Sequence, residues 1–487
     1  MARIQVKDLT FYYEGSYDEI FKHVNFEIDG NWKLGFCGRN GRGKTTFLKL
    51  LMGLHEHRGT IKSDMDFDYF PFEVAQPDQP VLEVILAIAP TAETWEIYKD
   101  LSKMGMHESV AEQYFSTLSS GEKTKVLLIA LFLKENNFLL IDEPTNHLDL
   151  EGRQLVANFL RRKQGFILVS HDRAFLDKCT DYTLSINKTN IEIVKGSFSS
   201  WWEQTARREL HEAAENEKLA EEIIQMEKTV KRNKFWASSL TGTYNANASH
   251  GRCPSSREAR LQKDALRKEK QVLDNIEEKK KLLQNVETIE ALELAPLDFE
   301  SENVLELDHI QVSYQNRQII DDFNLTIHRG QRLALVGKNG SGKSSLLRLI
   351  CGELKDYAGT IQASPDLKIS YVPQEAGFLN GTLADFAYSY SLDLEHFQAI
   401  LFKLDFSAEQ LEKDLSHFSD GQKKKVLIAK SLAEQAHLYI WDEPLNYIDV
   451  YSRMQIEQLI LEYEPTLLFV EHDAGFIENV ATGVVRL

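Results

Sequence analysis

Residues 36–46 read FCGRNGRGKTT and residues 335–345 read LVGKNGSGKSS, and the reading of these two stretches decides the fold. Each matches the glycine-rich pattern GxxxxGK[ST]. In such a loop backbone N–H groups turn toward a phosphate, the lysine brings positive charge to the outer phosphates, and the Ser or Thr hydroxyl can ligate magnesium. The first copy supplies Gly38, Asn40, Gly41, Gly43, Lys44, Thr45 and Thr46; the second supplies Gly337, Asn339, Gly340, Gly342, Lys343, Ser344 and Ser345. Apolar, strand-like runs precede the loops at 34–37 and 333–336, and amphipathic, helix-like runs follow at 47–51 and 346–350. A loop that ends a strand and opens a helix places the anion where helix N-termini attract it.

The two loops belong to a longer repeat. Lys343 follows Lys44 by 299 residues, Ser419 in FSDGQ follows Ser119 in LSSGE by 300, Asp442 in YIWDEP follows Asp142 in LLIDEP by 300, and His472 in EHD follows His171 in SHD by 301. A shared offset across four motifs means a duplicated domain. After the apolar runs 138–141 and 438–441 come the adjacent carboxylates Asp142-Glu143 and Asp442-Glu443. The first acid of each pair is expected to hold magnesium, and the second to polarise a water for attack on a γ-phosphate. A lone Asp-Glu pair would more often be solvated; here the lysine-to-aspartate distance is 98 residues in one copy and 99 in the other, which favours the chemical reading.

Composition narrows the setting. A chain of 487 residues suits two domains of ordinary size and a connector, and the apolar content is enough for globular cores. The longest apolar stretches, such as 126–133, fall short of the roughly twenty residues of a membrane span, so no membrane domain is expected. The start, MARIQVKDLTFYY, alternates like a strand and lacks the layout of a secretion signal. Cys37, Cys179, Cys253 and Cys351 show no paired spacing, which favours a reducing, cytoplasmic setting. His250 and Cys253 lie close together without a second pair, so no zinc site is expected.

The repeat leaves residues 205–296 unclaimed between a first domain at 1–204 and a second at 297–487. Leu219, Ile223, Met226 and Val230 fall at helical spacing, as do Leu261, Ala265, Val272, Ile276 and Leu283, while Ser238 to Ser256 is rich in Gly, Ser, Thr and Asn. An antiparallel helical hairpin with its tip near 236–256 is expected. The net charge of the chain is −18, which argues against indiscriminate nucleic-acid binding, yet 228–270 holds eleven basic residues against three acidic ones. With Phe235, Trp236 and Tyr244 at the tip, such a segment can neutralise phosphates and stack on unpaired bases. Equally, it can be a solvated hairpin whose aromatics pack between its own arms.

The order of aromatic residue, P-loop, LSGGQ-like signature, Asp-Glu strand, D-loop acid and switch histidine resembles ATP-binding-cassette (ABC) ATPases over nearly the whole chain. The resemblance implies an α/β fold of two tandem P-loop domains that sandwich two ATP molecules with Mg2+, the signature of one closing on the P-loop of the other. By position it makes Tyr13 and Tyr314 the adenine-stacking aromatics and Ser119, Gly121, Ser419 and Gly421 the signature contacts. Asp149 and Asp449 become the D-loop acids, His171 and His472 the γ-phosphate histidines, and Gln374 in YVPQ a magnesium ligand beside Thr45, Ser344, Asp142 and Asp442. Tandem cassettes joined by a charged helical linker look like the ABC-F translation factors. Those bind the 70S ribosome at its E site and reach rRNA and P-site tRNA with the linker. The stretches GRNGRGKTT, FILVSHDRAF, FSDGQKKKV and WDEPLNYIDV are similar to antibiotic-resistance ABC-F proteins of the Lsa and Vga type, which dislodge lincosamides, pleuromutilins and streptogramin A compounds. The implied state is a monomer with an intramolecular cassette dimer; a housekeeping ABC-F factor, or less readily the ATPase subunit of an exporter, would share the chemistry.

Two departures cluster on one site. The first half reads YFPF, with Phe72 where the second half has Gln374, and the signature expected to close on the first P-loop carries Asp420 where glycine is usual. Phe can neither ligate magnesium nor hold a water. Ser120 in the other signature is a milder change. The two sites are therefore expected to be unequal, the one built on Lys44 being slower.

Overall fold

The computed structural model describes residues 3–13, 20–146, 148–187, 190–208, 225, 226, 228, 291–299, 301–314 and 317–487. The chain divides into two compact units, Met1–Trp201 with Ile289–Leu487, and Trp202–Thr288. Phe235, Trp236, Tyr244 and nearly all of the expected hairpin lie outside the described residues, as does the Tyr314 side chain.

Each half of the larger unit is built from a small antiparallel sheet and a mainly parallel one. In the first half the strands are β1 (Arg3–Phe11), β2 (Phe21–Asp29), β3 (Lys33–Cys37), β4 (Arg58–Ser63), β5 (Asp66–Phe70), β6 (Asn137–Asp142), β7 (Phe166–Val169), β8 (Tyr182–Asn187) and β9 (Asn190–Lys195). In the second they are β10 (Asn303–Tyr314), β11 (Arg317–His328), β12 (Arg332–Val336), β13 (Tyr357–Ala363), β14 (Ile369–Val372), β15 (Leu438–Asp442), β16 (Leu467–Val470) and β17 (Gly483–Arg486). The antiparallel sheets run β2-β1-β4 and β11-β10-β13; the larger sheets run β5-β6-β7-β3-β8-β9, with only β9 antiparallel, and β14-β15-β16-β12-β17. β6, β7, β15 and β16 read as unbroken apolar runs because both of their faces are covered, as parallel sheets require.

That strand order sets the site. The P-loop leaves the end of β3 or β12, the Asp-Glu pair the end of β6 or β15, and the histidine the end of β7 or β16, and these strands lie side by side. Ligands of open α/β sheets bind in the crevice at such carboxyl ends. The antiparallel sheets carry a further repeat: Asp8 and His23 both have left-handed φ and their side chains meet at 2.6 Å, while His309 and Asp322 occupy the same two places with the acid and the ring exchanged.

Candidate nucleotide-binding site

Gly43 and Gly342 cap the two P-loop helices, Lys44–Leu51 and Lys343–Ile350, with φ of 93° and 101°. A Cβ at Gly43 would sit 2.6 Å from Ile20 and one at Gly342 2.7 Å from Ile319, so both the dihedral and the space require glycine. The lysines reach back over their loops: Lys44 Nζ donates to the carbonyls of Gly38 at 2.7 Å and Arg39 at 3.1 Å, Lys343 Nζ to those of Gly337 at 2.9 Å and Lys338 at 3.0 Å. Burial lowers both ammonium pKa values, opposed at Lys44 by Asp449, Glu143 and Asp142 and at Lys343 by Glu443, Asp442 and Asp149. Thr45 and Thr46, like Ser344 and Ser345, begin their helices. The Thr46 hydroxyl meets Tyr13 Oη at 2.8 Å, and the Tyr13 ring remains half exposed beside Phe11 and His55.

Glu143 and Glu443 share a φ near 50°, a left-handed conformation uncommon outside glycine and costly enough to mark a constrained site. Their surroundings differ. In the first half burial, then Asp142, pushes the Glu143 carboxyl up to about 8, with Arg453 and Lys44 pulling the other way. Its Oε1 has no hydrogen-bond partner, and His171 Nε2 stands 3.4 Å away with its own pKa driven well down by burial, Lys44 and Arg453. The Asp142 Oδ2 atom accepts from Thr45 Oγ1 at 3.0 Å and Tyr69 Oη at 2.9 Å.

In the second half burial also raises Glu443, but the His472 ring at 3.3 Å, the Gln374 side chain and Lys424 outweigh it and hold the carboxyl below its ordinary value. Asn446 Nδ2 donates to its other oxygen at 2.6 Å. Asp442, 1% exposed, leaves both carboxylate oxygens without a hydrogen-bond partner, and burial raises its pKa. A divalent cation fits such an orphaned carboxylate beside Ser344. Among the described residues no group of three or more His, Cys, Asp or Glu could hold a metal.

The two halves meet at the first P-loop. Asn40 Nδ2 donates to the Tyr447 carbonyl at 2.8 Å, Arg39 pairs with Asp405 at 3.1 Å and lies over the Tyr451 ring, and Arg173 pairs with Glu457. Gly421 of the second signature packs here, since a Cβ on it would come 2.5 Å from the Tyr447 carbonyl and 3.1 Å from Asn40 Nδ2. Ser119 and Ser419 cap the signature helices Ser120–Leu133 and Asp420–Ala433 through capping boxes with Glu122 and Gln422. Asp449 is fully buried and paired with Lys425 at 2.7 Å; burial works against its charge, but Lys425 holds the carboxyl well below the usual range. Asp149 instead caps its helix by accepting the Gly152 N–H at 2.8 Å.

A family model described as ABC transporter matches residues 21–146 and again 320–446. The chain belongs to that family. It is an ABC ATPase with two cassettes in tandem, and it hydrolyses ATP. Among its relatives, ATP-binding protein Uup of Caulobacter vibrioides is 29% identical over 96% of this chain and 74% of its own. Ribosome protection protein VmlR of Bacillus subtilis is 26% identical over 96% and 84%, and energy-dependent translational throttle protein EttA of Escherichia coli 25% over 96% and 89%. Of solved structures, an archaeal ribosome recycling factor, ABCE1, crystallised with the stalk protein aP1, superposes with a TM-score of 0.64 at 19% identity, over 98% of this ABC ATPase and 87% of that chain, a likeness of fold. Among the described residues no helix is long and apolar enough to cross a membrane.

Some residues of the cassettes' sites escaped the sequence reading. Arg153 and Arg453, buried and bound to Asp172 at 3.0 Å and Asp473 at 3.2 Å, obey the same 300-residue offset and were findable by it. Tyr69 carries no motif of its own, and Lys424 in FSDGQKKKV and Asn446 in WDEPLNYIDV were given no role by the sequence; only the fold brings the three to the acids.

Proposed function

We propose that this chain is an ABC-F type ATPase that binds the bacterial 70S ribosome in its ATP-closed state and acts through the linker 205–296, in the cytoplasm. The observation that carries the proposal is the joining of two cassettes in one chain across Asn40, Tyr447 and Gly421, with the basic, aromatic segment around 228–270 inserted between them. VmlR and EttA, whose names tie them to ribosome protection and translation, support it. The finer reading is displacement of lincosamide, pleuromutilin or streptogramin A antibiotics from the peptidyl-transferase centre, with Phe235, Trp236 and Tyr244 as the probing tip. Hydrolysis then releases the protein from the ribosome.

In this reading two ATP molecules bind. Lys44 and Lys343, with the loop amides of Gly38 to Gly43 and Gly337 to Gly342, hold phosphates; Tyr13 and Tyr314 stack the adenines; Asp149 and Asp449 act from the opposite half. Thr45 with Asp142, and Ser344 with Asp442 and Gln374, would hold magnesium, whose charge neutralises the transferred phosphoryl group. Glu143 and Glu443 polarise water, and His171 and His472 orient the γ-phosphate. Glu443, which burial would raise but His472 and Gln374 hold below its ordinary value, is poised for this; Glu143, raised by burial and Asp142, is less so, and the Lys44 site is the slower of the two.

A second reading, a housekeeping translation factor that does not displace drugs, is favoured by the equal coverage of EttA. The test is co-sedimentation of the Glu143→Gln, Glu443→Gln double variant with 70S ribosomes, with and without ATP, then with bound lincosamide or pleuromutilin. ATP-dependent pelleting that lowers drug occupancy is the expected result. Pelleting without drug loss selects the second reading, and absence of pelleting overturns both.

A further inference from the structure

The signature helix Asp420–Ala433 touches both catalytic regions of the molecule. At its N-terminus Gly421 packs against Asn40 of the first P-loop. One turn on, Lys424 is 2% exposed and its Nζ donates to the carbonyls of Pro373 at 2.9 Å and Asp442 at 3.3 Å. Pro373 precedes Gln374, whose side chain holds Glu443, and Asp442 precedes Glu443 in the chain. One buried ammonium thus ties the helix that closes the first site to the two segments that position the acid of the second.

The first half lacks this tie. Thr124 stands 300 residues before Lys424, Phe72 stands where Gln374 does, and Thr124, Phe70, Pro71, Asp142 and Glu143 line a cavity of about 560 Å³. The charge of Lys424 is compensated by a second difference. Glu471 replaces Ser170, is buried, accepts the Leu445 N–H at 2.8 Å, and joins Asp442 and Glu443 in offsetting the burial that lowers the Lys424 pKa to about 8. A buried lysine thus stands at the acid strand in one half only, its charge offset by the carboxylates around it, where an unpaired ammonium would be costly.

We infer that Lys424 is a positioning residue that transmits closure of the second signature on the first P-loop to Glu443, so that nucleotide at the Lys44 site accelerates turnover at the Lys343 site, with no matching path back. Binding couplings between the sites must be reciprocal, but a coupling on kcat need not be. Movement of the signature helix shifts both carbonyls that Lys424 grips, and through them the Gln374 and Glu443 side chains. In the first cassette a threonine cannot span to either carbonyl with a cationic donor.

The inference rests on the assignment of Lys44 and Lys343 to separate ATP sites, and the experiment separates failure of one from failure of the other. Second-site turnover is measured in the full chain carrying Glu143→Gln, with and without Lys44→Ala, and bound nucleotide is counted by equilibrium dialysis. Emptying the first site should lower kcat about tenfold with little change in KM. In Lys424→Met the kcat should already be low and should no longer respond to Lys44→Ala, while Lys424→Arg restores much of the response. Lys424→Gln, which keeps a polar but uncharged and shorter side chain, serves if the methionine variant does not fold, with the same loss of response expected. A response to Lys44→Ala that persists in either neutral variant overturns the inference. Retention of two nucleotides in Lys44→Ala overturns the site assignment on which it stands.

Discussion

Glu143 and Glu443 stand 300 residues apart on the same left-handed turn at the end of the same strand, yet one carboxyl is raised to about 8 and the other is held below its ordinary value. Backbone position is therefore not what separates them. The difference lies in three neighbours: Gln374 against Phe72, Lys424 against Thr124, and an Asn446 bonded to Glu443 against a Glu143 oxygen that has no hydrogen-bond partner. A duplicated fold conserves where an acid sits; the residues packed around it decide whether it is charged.

The D-loop acids give the largest expected contrast. Replacing Asp449 with Asn strips the buried Lys425 of its charged partner and should cost about 3–5 kcal/mol of stability at neutral pH, whereas Asp149→Asn keeps the oxygen that caps its helix and should cost about 0.5 kcal/mol or less. Because the folded Asp449 pKa is lowered, its contribution is fully present above the ordinary aspartate range and is lost as pH falls through the folded value. Chemical denaturation of the two variants at pH 7 checks this, and equal losses would break the comparison. Next in size is catalysis. Glu443→Gln should reduce total ATPase activity about 100-fold and Glu143→Gln less than about twofold, in steady-state assays. Equal losses would mean that the sites turn over alike.

A smaller effect sharpens the cause. In a Glu443→Gln background, Phe72→Gln should raise the residual turnover by roughly fivefold by giving the first site the amide it lacks. No gain would shift the explanation to the burial of Glu143 alone. Smallest is a pH effect. Since burial and Asp142 raise the Glu143 carboxyl to about 8, the residual turnover of a Glu443→Gln variant should rise as pH is raised through that value, in steady-state assays, and a flat profile would mean that the Glu143 carboxyl is not what slows the first site.

The strands, the P-loop turns and the placement of both acid pairs were legible in the sequence because each depends on local pattern: an apolar run, then glycines or carboxylates, at a repeated offset. The different surroundings of the two glutamates were legible in part, through Phe72 against Gln374. What was not legible is what the fold brings together from afar. Lys424 and Glu471 are separate, unremarked departures from the repeat until the sheet places both against Asp442, and Arg39 with Asp405 spans the two halves. The exchange of Asp8 and His23 for His309 and Asp322 shows the same limit, since neither half reveals it without its partner strand.

The bond from Asn40 to the Tyr447 carbonyl joins residues 407 positions apart. During synthesis at about 5–20 residues per second, the first P-loop waits roughly 20–80 s for the residue that will close over it. For that interval the emerging cassette can fold around its own sheet and meet nucleotide, but it cannot complete a sandwich. Activity at that site is withheld until Tyr447 has left the ribosome that made it.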